Sequence, residues 1–458
     1  MESETHESNA AQGRALALAQ LIFEAHAWKH RQVDSIRLDA GDRGRRRTSI
    51  DCTLPADERL SWPGPGRGGQ IIVPLGLFST GPLRDFDIVD GDGRALSILG
   101  RDESATLACE IVCALLESVD VIQITPALER TIFALVVSLP IRTAETTDAV
   151  DFLATGMHAG DRVLTDDELG RLSTTTRAIL HDLCYGYILF GIVSRPDTAR
   201  RSILKFSSYW TTTLHPDETP RASGLPPTYQ RWRDVLRWRA DVGLASLGIR
   251  PAQLELPIRG AGDARSYHLE LHLPAEIECH SLALMATPLQ PSGEIDRRAG
   301  PVSHAHGRFS VRWEDGEDRI ALAALTTTGR GTARVAMLTS IATFAFVLLS
   351  LALPGAMPTL ERAGDPSAVL LTLPAVALSI FLGVREHEIA SVLLGPARVT
   401  IALCAGLLAV AATALAWDLR EPWLSTYWWI ALCAAGLCAL LHALGAVQRR
   451  RRAGAWHE

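Results

Sequence analysis

Lysine is nearly absent from this chain. It occurs at Lys29 and Lys205, and arginine supplies the rest of the 45 basic side chains. The bias reads as the codon usage of a GC-rich genome, not as a phosphate-binding device. A basic excess is also missing: 51 acidic residues leave a net charge of −6. Nucleic-acid binding calls for a concentrated basic face, so no nucleic-acid partner is expected. Residues 1–9 are acidic and polar, without the basic, apolar, small-residue order of a signal peptide, and none is expected. The eight cysteines form no CxxC pair and read as free, buried thiols in a reducing compartment. Cys109 and Cys113, spaced i, i+4, suit one helix face but supply only two metal ligands. GxSxG and HExxH are absent, and the glycine-rich segment 64–69 lacks the GKS or GKT ending of a P-loop. No catalytic or cofactor-binding residue is therefore assigned, and no enzyme is expected.

Charge is missing again from four apolar runs near the C-terminus, 335–353, 367–384, 399–417 and 427–447. None contains Asp, Glu, Lys or Arg, and each is close to the ~20 residues that a helix needs to cross a bilayer. They account for the positive mean hydropathy of +0.13. Intramembrane charges mark most ion and proton pathways, so their absence argues against a secondary transporter. A small oligomeric pore needs none. His442, the one histidine in a run, reads as a packing or interfacial residue. With four spans, Arg330, Arg334, Arg385, Arg398 and Arg449–Arg452 fall on one side, and Arg362 and Arg420 on the other. That bias places both termini and the soluble part in the cytosol. Trp417, Trp423, Tyr427, Trp428 and Trp429 mark the outer interface. Ala405, Gly406, Ala411, Ala412, Ala434, Ala435 and Gly436 allow close helix approach, within one bundle or in a homo-oligomer.

The first 330 residues read as soluble. Residues 10–28 pattern as an amphipathic helix. Residues 45–55, 71–75 and 83–89 read as strands, and Asp90-Gly91-Asp92-Gly93 as a hairpin turn into 94–99. Helices are expected over 105–116, 126–139 and 166–180, the last capped by Thr165 with Glu168 in a capping box. The apolar stretch 179–194, with His181 and Asp182 inside it, reads as a buried helix or strand, and the two as a satisfied buried pair. A strand is expected over 200–210 and a helix over 229–245. On that helix Arg231, Arg233, Arg237 and Arg239 interleave with Trp232 and Trp238, as a salt-bridged surface or as a contact to anionic headgroups or a partner. Strands follow at 253–258, 266–273, 277–286, 309–313 and 319–325.

One constellation has ligand chemistry: His268-Leu269-Glu270-Leu271-His272. On a strand, His268, Glu270 and His272 share a face, and two imidazoles with a carboxylate are metal-ligand types. Glu276, Glu278, His280, His304 and His306 lie near in sequence. Against a metal, the leucines would face the core and leave the polar positions simply solvated. Ligands about 7 Å apart along one strand do not converge on one ion without bending. No metal is assigned.

RRTSIDCTLP at 46–55, VPLGLF at 73–78, PLRDFDIVDGDGRALSIL at 82–99, RDESATLA at 101–108, RRSILKFSS at 200–208 and SYHLELHLPAEIE at 266–278 resemble an uncharacterised family of actinobacterial membrane proteins that end in spans. The resemblance covers most of the chain and implies the architecture, not an activity. The expected fold is an α+β soluble region followed by an all-α four-helix transmembrane bundle. Its divisions are an N-terminal helix (1–30), a β-rich domain ending in a helix (31–118), a mainly helical middle (119–247), an antiparallel β-sandwich (248–330), the spans (331–448) and an arginine-rich cytosolic tail (449–458). The expected role is a cytosol-facing, membrane-anchored binding or sensor protein with the lipid bilayer and a cytosolic protein as partners. The alternative is a pore-forming or membrane-disrupting effector gated by the soluble part, and a third reading, a membrane enzyme acting on lipid or envelope precursors, lacks a catalytic signature.

Overall fold

A strand whose alternate residues are polar and apolar buries one face and wets the other. Six strands, most of them of this kind, make the largest sheet of this computed structural model, which describes residues 2–38, 44–62, 69–79, 85–137, 151–195, 200–210, 227–258, 260, 262–286, 290–291, 304–309, 319–352, 388–416 and 423–454. Their order is β14 (His304–Phe309), β11 (Ser266–His272), β1 (Lys29–Arg37), β2 (Gly44–Leu54), β9 (Arg200–Trp210) and β4 (Asp87–Val89). All neighbours are antiparallel except β1 and β11, which pair in parallel from Arg31↔Ser266 to Arg37↔His272. A four-stranded antiparallel sheet runs β10 (Ala252–Pro257), β15 (Arg319–Thr327), β12 (Ile277–Ala286), β13 (Gln290–Pro291). A three-stranded one runs β3 (Gln70–Ser79), β8 (Gly186–Ser194), β5 (Ser97–Ile98), and β6 (Met157–His158) pairs with β7 (Asp161–Arg162).

The inner face of the six-stranded sheet serves two apolar cores. Ile50, Cys52, Leu204 and Phe206 join the first, together with helices α1 (Glu2–Phe23), α3 (Arg101–Ser118) and α4 (Pro126–Val137) and with β3 and β8. Ile36, Tyr267, Leu269 and Leu271 join the second, facing Leu254, Leu256, Cys279 and Ala323 of the four-stranded sheet. The sandwich is thus real in its packing, but strands 248–330 do not form it among themselves. β11 and β14 extend a sheet begun by β1 and β2, so the stretches expected as 31–118, 119–247 and 248–330 all contribute strands to one sheet.

Several local readings change. The N-terminal helix starts at Glu2, breaks at Glu24, resumes as α2 (Ala25–Trp28) and runs straight into β1. Its Ala15, Leu18 and Leu21 are buried beside α3, and Arg14 pairs with Glu110 at 3.1 Å. The turn at Asp90 forms, with its carboxylate accepting from the Asp92 and Arg94 amides, but β4 pairs with β9 while β5 pairs with β8. The helix expected over 166–180 is two, α5 (Asp166–Arg171) and α6 (Thr174–Tyr185), because Ser173 caps a second start by accepting from Thr176 N at 3.1 Å. The stretch 179–194 divides between the end of α6 and the buried strand β8. His181 and Asp182 are exposed at 58% and 62%, not buried.

Helices α8 (Gly331–Ala352), α9 (Glu388–Ala416) and α10 (Trp423–Gly454) are long and apolar enough to cross a membrane. They contain the expected runs 335–353, 399–417 and 427–447 almost entirely. The fourth run, 367–384, lies outside the described residues, so a four-helix bundle is described here as three helices. Large apolar side chains such as Leu349 and Leu437 are more than half exposed on their surfaces, as lipid-facing residues are. Cys433 is exposed too, unlike the buried thiols expected. The arginines at 449–451 are helical, not a separate tail.

Candidate functional site

α9 begins well before its apolar run, and those first turns are not surrounded by lipid-facing surface. Ile389, Leu393 and Leu394 are fully buried in the second soluble core, against Val242 and Ala245 of α7 (Pro227–Ser246) and Ala333 of α8. Burying side chains of this size is worth about 1.5–3 kcal/mol each, so the base of α9 belongs to the soluble body. Farther along, Ala397 and Ile401 meet Ala336 of α8. Farther still, Leu408 and Ala411 meet Val347 of α8 and Trp428 and Ala431 of α10. α8 and α9 therefore lead away from the soluble body side by side, and α10 returns to it.

The returning end of α10 presents His442, Gly445 and Arg449, spaced along one face of the helix. His442 and Gly445 are buried. A side chain at Gly445 would overlap the Leu247 carbonyl oxygen, so glycine is what lets the two backbones touch. One turn on, the Arg449 guanidinium donates to that same carbonyl at 2.8 Å. Its side chain lies against Gly248 and Gly329, whose φ of +75° and +71° puts them in the left-handed region. Any L-residue there is strained, and its Cβ would also collide with the Arg449 side chain. The Glu278 carboxylate attracts the Arg449 charge. Glu278 accepts from Thr326 Oγ1 at 3.2 Å and stands 3.4 Å from His280 Nε2, while Thr327 Oγ1 donates to Ser246 O at 2.7 Å. The ends of β12, β15 and α7 thus form a polar socket for the end of a span. Arg330 and Arg334 of the α8 base and Arg398 of the α9 base stand at the same end.

The residues singled out from the sequence go elsewhere. Leu269 and Leu271 of β11 point into the second core, fully buried. His268, Glu270 and His272 share the other face. His268 Nε2 bonds Ser266 Oγ at 3.1 Å, and His272 lines a cavity on the outer side of the sheet. The register sets His306 of β14 opposite Glu270 and His304 opposite His272. Among the described residues no three His, Cys, Asp or Glu side chains gather as metal ligands. Burial pushes the Cys52 and Cys279 thiols up to about 12, so both stay protonated and unreactive. Cys109 and Cys113 are free thiols that share a hydrogen bond along one face of α3. Of the aromatic-basic helix face, Arg237 and Arg239 are exposed; the side chains of Arg231, Trp232, Arg233 and Trp238 lie outside those described.

The socket was missed in the sequence, where Arg449 counts only toward the positive-inside bias. The signal for it was Gly445 standing four residues before an arginine on an otherwise apolar helix. No protein-family model, curated protein or solved structure matches this chain.

Proposed function

We propose that this chain is a multi-pass plasma-membrane protein that holds a cytosolic binding or sensor body firmly on its spans. The observation that carries the reading is the docking just described: the base of α9 is buried in the soluble core and Arg449 of α10 is seated in its socket. A tether that only anchors a domain needs neither contact. A body that transmits a binding event to its spans needs both, because coupling travels through packed, two-state contacts.

The same contacts support a four-span topology: α8 ends away from the soluble body and α9 begins against it. The run 367–384 is the segment of membrane length between them, and it makes the fourth span of this proposal. Arg330, Arg334, Arg398 and Arg449 gather at the docked end, which the positive-inside rule assigns to the cytosol. A homo-oligomer through the small-residue helix faces and a cytosolic protein partner complete the reading.

The test is hydrogen exchange on the full chain in nanodiscs. Amides at 244–249 and 325–329 are expected to be protected, and Gly445→Val to expose them while the protein stays in the membrane. Free exchange of those amides in the unaltered protein would reduce the spans to a plain anchor. Ion conductance of the reconstituted chain in planar bilayers would replace this reading with a gated pore.

A further inference from the structure

The outer face of the six-stranded sheet, turned away from both cores, carries a cavity of about 310 Å³. Its walls include Arg37, Arg45, Arg47, Lys205 and His272, with Asp87 the one carboxylate. The sheet register brings these groups together. Arg37 stands directly across from Arg45 on β2 and from His272 on β11. In the next row Arg47 lies between Ser35 and Ser207, and Ser207 faces Asp87. Arg37 and His272 have partners of their own, while Arg45, Arg47 and Lys205 crowd positive charge on one face, and like charges close together on a sheet repel. Among the described residues no carboxylate lies within ion-pair distance of Arg45, Arg47 or Lys205, although Arg31's neighbour Asp51 holds Arg201 and Asp34 holds Arg46. Arg45 donates instead to Ser207 Oγ at 3.0 Å. The patch is cationic on a chain whose net charge is −6, and a concave patch of one sign concentrates ligands of the other.

We propose that this cavity binds a small molecule bearing a phosphate or pyrophosphate group, with Arg45, Arg47 and Lys205 as the ligating cations and Ser35 and Ser207 as hydroxyl partners. Planar guanidinium groups match phosphate oxygens in pairs. The volume sits at the small end of the range for ligand pockets, roughly 300–1,000 Å³, and admits a phosphorylated metabolite or a lipid headgroup but no polymer. The proposal gives the sensor reading a ligand without depending on it, since a site can bind whether or not the spans respond.

The test is titration calorimetry on the full chain in phosphatidylcholine nanodiscs, with inorganic pyrophosphate as the probe. Saturable binding that weakens with added salt is expected. Arg47→Ala and Lys205→Ala each weaken it about tenfold or more, as for loss of a charge-assisted hydrogen bond. Arg162→Ala, an exposed arginine elsewhere, leaves it unchanged. Near-ultraviolet dichroism of each variant shows that the sheet is intact. A second arm measures binding of the same nanodiscs to vesicles of phosphatidylcholine doped with phosphatidic acid. Binding in this arm alone, lost in Arg47→Ala, makes a lipid headgroup the source. No binding in either arm, or binding indifferent to Arg47 and Lys205, overturns the proposal. Binding without any change in exchange at 442–449 leaves the site standing and removes the sensor reading.

Discussion

Asp34 is the most constrained charged residue of the soluble body. It is fully buried in β1, between the two cores, and every approach to its carboxylate is filled. Oδ2 accepts from Arg46 at 2.6 Å and Tyr267 at 2.7 Å, and Oδ1 accepts from Thr48 at 2.5 Å. Burial, reinforced by the Asp34 charge, holds the Tyr267 hydroxyl well above its usual range, so Tyr267 remains a neutral donor. A satisfied buried pair adds little net stability over an apolar replacement, but breaking it strands a charge. Asp34→Ala should therefore destabilise the soluble body by about 3–5 kcal/mol, and Tyr267→Phe by about 1–3 kcal/mol, the cost of an unsatisfied buried acceptor. Urea titration read by pulse proteolysis measures both. In an Arg46→Ala background the Asp34→Ala loss should shrink, which a purely steric effect would not do. This network also explains why β1 is hard to see in the sequence. Its inner face carries Gln32 and Asp34 beside Ile36, so its alternation does not separate polar from apolar, and the partner that completes it, Tyr267, comes far later in the chain.

At the scale of elements, the start at Thr165 was legible and the break after Arg171 was not. Thr165 and Glu168 cap α5 as the sequence implies, with Glu168 accepting from Thr165 N at 2.9 Å. The end at Leu172 was hidden because Leu169, Leu172 and Ile179 keep a helical apolar spacing through the break. Arg177 fixes that corner by donating to the carbonyls of Leu172, Leu153 and Leu169. The Asp90 turn was legible for the same local reason that a cap is, whereas the sheets its two strands enter are decided by β8 and β9, far along the chain. The Thr165 amide and hydroxyl hold the Glu168 carboxyl below its usual value. A depressed folded-state pKa stabilises above the unfolded value, and that share is lost as pH falls through the folded one. Amide protection factors across 166–169, corrected for the intrinsic pH dependence of exchange, should therefore fall on acidification through the lower carboxylate range. In Glu168→Gln that pH dependence should vanish, and a variant that kept it would show the cap to be the wrong cause.

At the scale of the molecule, hydrophobic length revealed which segments enter the membrane but not where the soluble body stops. A helix that is apolar on all sides reads alike in lipid and in a protein core. α9 shows both uses along one rod: Leu393 is fully buried in the soluble core, while Leu403, farther on, is 42% exposed on the membrane-length segment. Gly395 and Pro396 stand between them, where Pro396 removes one helical hydrogen bond. The two leucines make a paired prediction that no anchor-only arrangement shares. Leu393→Ala should lower the stability of the soluble body by about 2–5 kcal/mol through the cavity it leaves. Leu403→Ala should leave that stability within about 0.5 kcal/mol, as for a surface change. Pulse proteolysis in urea on nanodisc-held protein, scored on fragments from the first 330 residues, reads both. If the two variants unfold at the same urea concentration as the unaltered chain, the base of α9 is not part of the soluble core. If only Leu393→Ala shifts, the first turns of a span carry part of the stability of the body that stands on it, which is the condition for passing a binding event in either direction.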